Sequence, residues 1–323
     1  MTHTNQSKVS LVIPVYNEEQ NLKELNRRIL VVFDSIDTDY EIIYVDDGSS
    51  DKSLDIIKKF SNRSEFINFI SFYRNFGQHA AVMAGLKHAR GDIILTLDAD
   101  LQNPPEEIPK LIEKLEEGYE IVASKRIHRK DKLLRRILSF YMNKIISVLT
   151  GVKLSDYGCM MRAYKREIIN KLLQYGEKSV YIPAFTCWLS SDVIEIPIRH
   201  DARKKGKTNY SLLKLLHQAF DLITAYTIFP IQMISLFGGI LCFFGILLFC
   251  YLMYFRIFIG TPSSLTSFIA ILILLSGIIL FCLGVISEYL VRLYREIKKM
   301  PLYIIKNSNI TNVNIEKHVI EKK

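Results

Sequence analysis

The sequence predicts an α/β protein in which a parallel sheet covered by helices precedes a two-helix transmembrane hairpin. Three observations carry this. Over residues 8–125, short β-branched runs alternate with helix-like segments, the pattern of strands joined by crossover helices. Two later stretches, Ile228–Phe255 and Ser264–Ser287, hold no charged residue, and each exceeds the ~20 residues needed to cross a bilayer. Lysine and arginine gather beside those stretches, in a chain of 323 residues with a formal net charge of +9. A purely soluble protein is excluded.

The predicted strands are Val9–Ile13, Tyr40–Val45, Phe66–Phe72, Asp92–Leu97 and Glu120–Ala123. Between them fall predicted helices at Glu18–Phe33, Ser53–Phe60, His79–Ala89 and Glu106–Glu117, each with apolar residues at helical spacing. In such sheets ligands bind beyond the carboxyl ends of the strands. Those ends are polar here: Pro14-Val15-Tyr16-Asn17-Glu18, Asp46-Asp47-Gly48-Ser49, Tyr73-Arg74-Asn75-Phe76-Gly77-Gln78 and Asp98-Ala99-Asp100-Leu101-Gln102.

Two further segments have the pattern of helices lying on a membrane surface. Leu133–Leu149 mixes Arg135, Arg136 and Lys144 with apolar residues, and Tyr210–Tyr226 carries Lys214 and His217 beside a broad apolar face. Helices packed on the sheet give the same stripes, and only the second leads straight into a span. Residues 199–217 hold Arg199, Arg203, Lys204, Lys205, Lys207 and Lys214 against Asp201 alone, and Arg292, Arg295, Lys298 and Lys299 follow the second span. The linker between spans has only Arg256, so both ends of the hairpin are expected in the cytoplasm.

The expected organisation is a cytoplasmic catalytic domain (1–209), an amphipathic juxtamembrane helix (210–227), two spans (about 228–255 and 264–288) and a basic tail (291–323), loose and Asn-rich from Lys306. The start of the chain is polar, without the apolar core of a secretory signal, so the first domain is expected to stay cytoplasmic. The five cysteines include no C-x-x-C pair and read as packing residues.

Asp98 and Asp100 stand two apart where a buried-looking strand runs out, so their side chains can turn to one side. Such a pair suits a divalent ion that keeps waters and shares a substrate's phosphate oxygens; a solvated turn is the plain alternative. A second acidic strand end, Asp46-Asp47-Gly48-Ser49-Ser50-Asp51, favours the ion, although some of these residues also suit a helix N-cap. No G-x-G-x-x-G and no G-x-x-x-x-G-K-[ST] occurs, which leaves glycine-cradled dinucleotide or P-loop binding without support.

Val-Ile-Pro-Val-Tyr-Asn-Glu-Glu (12–19), Val-Asp-Asp-Gly-Ser-Ser-Asp (45–51), Leu-Asp-Ala-Asp-Leu-Gln-Asn-Pro-Pro-Glu-Glu-Ile-Pro (97–109) and the hairpin resemble the polyprenyl-phosphate glycosyltransferases of family 2, which include dolichyl-phosphate mannose synthases. Arg-Asn-Phe-Gly-Gln-His-Ala-Ala (74–81) and Asp-Tyr-Gly-Cys-Met-Met-Arg-Ala-Tyr (156–164) are most similar to the branch that transfers 4-deoxy-4-formamido-L-arabinose to undecaprenyl phosphate. The resemblance runs from residue 9 to about 303. It implies a glycosyltransferase A-type (Rossmann-like) catalytic domain, a nucleotide-sugar donor, a lipid-phosphate acceptor and inversion at the anomeric carbon.

By motif position the resemblance assigns Pro14, Tyr16, Glu18 and Asp46 to the nucleotide, Asp98 to the ribose or diphosphate, and Asp100 with Gln102 to Mg²⁺ or Mn²⁺, Asp98 being a further candidate ligand. Arg126 and Arg135 fall where the family uses arginines on phosphates, and a guanidinium fork suits phosphate because it bonds two oxygens at once. Attraction to anionic lipid accounts equally well for Arg129, Arg135 and Arg136. Asp156 is expected to orient the donor sugar or a phosphate-binding arginine, with Arg162 as a helper on phosphate near the same site. Arg203-Lys204-Lys205-Gly206-Lys207-Thr208-Asn209-Tyr210 resembles the family's juxtamembrane phosphate loop, with Asn209 in place of the usual Lys; Lys205 or Lys207 could substitute. Gln78 stands where other members have Lys. His79 suits capping or packing more readily than a donor contact. Trp188 is the only tryptophan and no Q-x-x-R-W pattern exists, which disfavours a processive synthase.

The expected reaction moves one sugar, best matched by UDP-4-deoxy-4-formamido-L-arabinose, onto undecaprenyl phosphate at a bacterial inner membrane, for later modification of an envelope glycan such as lipid A. A polyprenyl-phosphate hexose or N-acetylhexosamine transferase is the same-class alternative. A non-catalytic membrane adaptor is the other, and the intact acidic motifs argue against it. Nucleic acid is not an expected partner, because the excess charge gathers beside the spans, where anionic lipid explains it. The resemblance also implies a homotetramer.

Overall fold

The computed structural model describes residues 8–36, 38–127, 143–144, 146–147, 150–175, 181–201, 229–258, 260, 264–297 and 301–310. These fall into two compact units, 8–201 with 301–310, and 229–297. The expected surface helices at 133–149 (apart from a few positions) and 210–226, and the basic residues Arg129, Arg135, Arg136, Arg203, Lys205 and Lys207, lie outside the described residues.

In the first unit the chain runs β1 (Val9–Val15), α1 (Leu22–Asp34), β2 (Tyr40–Asp46), α2 (Ser53–Ser61), β3 (Ile67–Phe72), α3 (Gln78–His88), β4 (Ile93–Thr96), a 3₁₀ turn (Pro105–Glu107), α4 (Ile108–Glu116), β5 (Ile121–Arg126), β6 (Arg162–Lys165), α5 (Arg166–Tyr175), α6 (Ile182–Leu189) and β7 (Val193–Ile198). The sheet order is β7-β5-β6-β4-β1-β2-β3-β8, the last strand being Ile305–Ser308. Its neighbours are parallel except that β6 runs against β4 and β5, and β8 against β3. The expected all-parallel sheet is therefore corrected to a mixed one.

Every residue of β1 is buried, and alternate side chains enter separate cores: Val9, Leu11, Ile13 and Val15 on one face, Val12 on the other. That is the burial of a central strand covered on both sides. In α3, Ala80 through Leu86 are all buried, so this helix is sunk into the second core. Helix α1 starts at Leu22, four residues later than expected from Glu18. The backbone at 18 and 19 is committed elsewhere: Glu18 N donates to Ser53 Oγ (2.9 Å) and Glu19 N to Asp51 Oδ2 (3.1 Å).

Of the tail expected to be loose from Lys306, the first residues instead belong to the strand Ile305–Ser308, and 311–323 lie outside the described residues. Ile70 pairs with Ser308 and Ser71 with Asn307, Phe69 N donates to Asn309 Oδ1 (2.7 Å), and Tyr303 stacks on Phe72 at 5.0 Å. Leu302, Tyr303 and Ile305 drive this, because their side chains pack against the second core, while Ile304 is exposed.

The second unit is a helical hairpin, α7 (Phe229–Phe258) and α8 (Ser264–Ile297). Both helices outrun the expected spans; their apolar stretches are Met233–Phe258, long enough to cross a membrane, and the shorter Ile271–Ser287. Small residues let the backbones touch. A Cβ on Gly238 would lie 2.5 Å from Phe281 N, one on Gly277 2.5 Å from Cys242 N, and one on Gly245 2.8 Å from Leu274 Cα. Away from that seam Phe237, Phe244, Leu247 and Ile279 are exposed, as a lipid-facing surface requires.

Candidate active site

The strand order turns back on itself around β1, whose two neighbours are β2 and β4, so a crevice opens beyond the carboxyl ends of β1 and β4. Residues from four strand ends and two loops meet around it.

At the end of β1, Pro14 is buried, Tyr16 is exposed and Asn17 takes a left-handed backbone (φ 55°). Asn17 is braced by the loop after β2: its N–H donates to Ser49 Oγ (3.0 Å) and its Oδ1 accepts from Ser50 N (2.8 Å). Glu18 turns to Asn21, whose amide it accepts at 2.5 Å. At the end of β2, Asp46 is buried and both its oxygens are used, one by Ser49 N (3.2 Å) and one by the Ser71 hydroxyl (2.9 Å). It therefore orders the loop from beneath. Asp47, given no separate role from sequence, accepts Phe76 N (2.7 Å) and Gly77 N (2.9 Å), fixing the turn into α3. Gly48 (φ 68°) is required between them, since a Cβ there would sit 2.4 Å from the Arg74 carbonyl carbon.

Asp98 and Asp100 follow β4. Asp98 accepts from Gln78 Nε2 (2.6 Å) and Asn103 Nδ2 (3.4 Å). Its carboxyl is pushed up to about 7, first by burial and then by the Asp100 charge, with the Arg126 charge pulling the other way. Asp100 Oδ1 accepts Gln102 N (3.1 Å) across Leu101, a buried residue held at φ 61°. Such a backbone is costly for leucine and persists because the loop around it fixes it.

Among the described residues no three His, Cys, Asp or Glu side chains converge as a ready-made metal cage. The residues fit a hard divalent cation in another way. Asp98 and Asp100 repel one another, and a cation would relieve that repulsion, which after burial is the second cause of the raised Asp98 pKa; Gln102, two residues on, has an amide oxygen of the kind such an ion takes.

Facing this cluster electrostatically is Arg126 at the end of β5. Its Nε donates to Asp156 Oδ2 (2.6 Å) and its Nη2 to Asp156 Oδ1 (2.8 Å), with the Arg126 side chain 15% exposed and that of Asp156 3%. Burial alone would lower the arginine's pKa, but the bond to Asp156 outweighs it and holds the pKa above its usual value. Both Asp156 oxygens are thus taken, and its backbone N–H donates to Glu195 Oε1 (2.8 Å).

Arg162 lies near Asp156, as the sequence reading expects, but not as a phosphate contact. It is fully buried, and its guanidinium donates to the carbonyls of Cys159 (3.0 Å), Tyr157 (3.3 Å) and Asp156 (3.5 Å) and to Cys187 Sγ (3.9 Å). The expected phosphate contact is replaced by a strut beneath the loop that carries Asp156, because every group around the fork is already bonded inward. Gln78, Asn103 and Tyr181 also belong to this neighbourhood: Tyr181 OH donates to Tyr157 O (2.7 Å). Gln78 and Asn103 lie within motifs the sequence displays, whereas Glu195 sits in the plain strand Val193–Ile198 and carries no signal.

The family model described as "Glycosyl transferase family 2" matches residues 10–173. An undecaprenyl-phosphate 4-deoxy-4-formamido-L-arabinose transferase of Shewanella sediminis is 41% identical over 303 residues, covering 93% of this chain and 92% of its own length. One of Photorhabdus laumondii is 40% identical over 318 residues, covering 96% and 98%. Among solved structures, mannosyl-3-phosphoglycerate synthase from Rubrobacter xylanophilus matches 68% of this chain and 72% of its own with a TM-score of 0.51 at 14% identity, a likeness of fold. Together with these matches, the mixed sheet with a reversed strand beside the crevice is that of an enzyme of the glycosyltransferase A class. The chain belongs to glycosyl transferase family 2.

Proposed function

We propose that the protein transfers 4-deoxy-4-formamido-L-arabinose from its UDP conjugate to undecaprenyl phosphate with inversion, making a lipid-linked sugar for envelope modification such as that of lipid A. Relatives of that printed activity, matching nearly the whole chain at about 40% identity, support the sugar and the acceptor. The observation that carries the mechanism is the Arg126–Asp156 fork beside the Asp98–Asp100 pair.

A lipid monophosphate has a second pKa near ~6, so at neutral pH the acceptor is mostly dianionic and nucleophilic without a base. Asp156 accordingly serves as an anchor, its two oxygens held by Arg126. Anchored in this way, the Arg126 guanidinium offers fixed positive charge to the phosphates that approach and depart. Mg²⁺ or Mn²⁺ held by Asp100, Gln102 and Asp98 would neutralise the diphosphate leaving group. Tyr16, exposed at the end of β1, is the natural platform for the base, with Pro14 and Glu18 beside it and Asp46 ordering the loop below. Arg135 and Arg203 would add charge toward the lipid phosphate.

The chain leaves the sheet before α7 and rejoins the same sheet as β8 after α8. The Lys and Arg that flank the hairpin in the sequence support a cytoplasmic placement of both its ends at a bacterial inner membrane. Anionic lipid would hold the basic flanks, and the two small spans per chain favour a homo-oligomer, a tetramer by family resemblance. The test is the lipid product itself: detergent-purified protein given the UDP-formamido sugar and undecaprenyl phosphate should yield a lipid with the mass of undecaprenyl phosphate plus one formamido-pentose and inverted anomeric configuration. Retained configuration, or no such lipid, would refute the proposal.

A further inference from the structure

Two short chains of contacts run beside the Asp98 crevice, one through Gln78 and one through Arg126, whose charge acts on Asp98. Gln78 Nε2 donates to Asp98 Oδ1; Arg126 forks to Asp156, the next residue Tyr157 receives the Tyr181 hydroxyl, and the Tyr181 ring meets His79, the neighbour of Gln78, edge-on at 5.1 Å. One side-chain nitrogen among these residues has no hydrogen-bond partner among the described residues. It is His79 Nδ1, and it is shielded from solvent.

We propose that His79 Nδ1 is a specificity contact that hydrogen-bonds a polar substituent on the transferred sugar. This inference rests on the reading of the site as one for a UDP-sugar. Shielding a polar nitrogen without a partner is destabilising. Phenylalanine would make the same edge-on contact with Tyr181 without that cost, so packing alone does not account for histidine at this position. Burial also lowers the His79 pKa to about 4, leaving a neutral imidazole near pH 7. A neutral ring can meet an uncharged amide or hydroxyl as donor or acceptor, according to tautomer, and adds no cation beside the diphosphate.

The experiment uses full-length protein in detergent, with whichever UDP-sugar the wild type turns over, and compares His79→Phe with His79→Asn, whose amide can place a polar atom near the Nδ1 position. For His79→Phe the donor KM should rise about tenfold, the loss of one well-formed hydrogen bond. Inhibition by free UDP should stay unchanged, and the Tm should hold or rise. His79→Asn should recover most of the donor KM. An unchanged donor KM in His79→Phe would overturn the inference. So would a fall in UDP affinity parallel to the rise in KM, or a lowered Tm without rescue by asparagine, since either marks a packing role. Failure of the underlying reading is distinguishable: wild-type protein would then turn over none of the UDP-sugars and would bind UDP-sugar no better than UDP, which also removes the basis for this contact.

Discussion

Arg126, the last residue of β5, and Asp156 form a two-pronged ion pair, Nε to Oδ2 at 2.6 Å and Nη2 to Oδ1 at 2.8 Å. The geometry uses up both carboxylate oxygens. An aspartate bound in that way holds an arginine and is a poor proton acceptor.

Asp156→Asn should therefore lower kcat by roughly 100-fold or more, the scale of losing a preorganised charge contact. The pH–rate profile of the residual activity should keep the wild-type shape. A variant whose rate recovered with rising pH would point to general-base catalysis instead.

Asp100→Asn should reduce transfer by about 10²- to 10³-fold while the protein still inserts into membranes and unfolds normally, because the proposed role of the carboxylate is to hold the cation and its one hydrogen bond, from Gln102 N, can be kept by an asparagine oxygen. The check is turnover across a Mn²⁺ and Mg²⁺ titration alongside membrane fractionation. Near-normal turnover at added metal would remove Asp100 from the ligand set.

Tyr303→Ala should cost about 2–4 kcal/mol, the usual range for truncating a packed aromatic, because its ring stacks on buried Phe72 as the chain returns to the sheet. Thermal or denaturant unfolding of the catalytic unit reads this directly. A change within about 0.5 kcal/mol, the ordinary scatter of surface substitutions, would mean that this stack contributes nothing.

His79 gives the stability a specific pH dependence. Its pKa is about 4 in the folded protein against 6.5 as the ordinary value, so between those limits the unfolded chain binds the proton and the folded one does not. Its neutral form is fully compatible with folding above pH 6.5, and stability is lost as pH falls toward 4, by about 2 kcal/mol between pH 7 and pH 5. His79→Phe should lose correspondingly less over that interval in melts taken in detergent. Parallel curves for the two proteins would contradict the assignment.

Much of this molecule is legible in its sequence because its strands are buried on both faces and so read as unbroken β-branched runs. β1 to β5 and the helices between them fall within a few residues of expectation for that reason. What stays hidden is set by tertiary pairing. Arg162–Lys165 becomes a reversed strand only because β4 and β5 stand open on either side of it, and Ile305–Ser308 becomes one only because β3 is an edge. Among site residues, Asp98, Asp100, Arg126 and Asp156 are visible by motif. The inward roles of Asp46 and Arg162 are not, since a motif marks that a residue matters without saying which way its side chain is bonded.

The most direct test of the account is UDP release by detergent-purified protein with Mn²⁺ or Mg²⁺, across a panel of UDP-sugars, with and without undecaprenyl phosphate. The account predicts release that requires both the lipid and the formamido-arabinose donor. Lipid-dependent release with a hexose or N-acetylhexosamine donor instead, or no lipid-dependent release from folded protein with any donor, would contradict it.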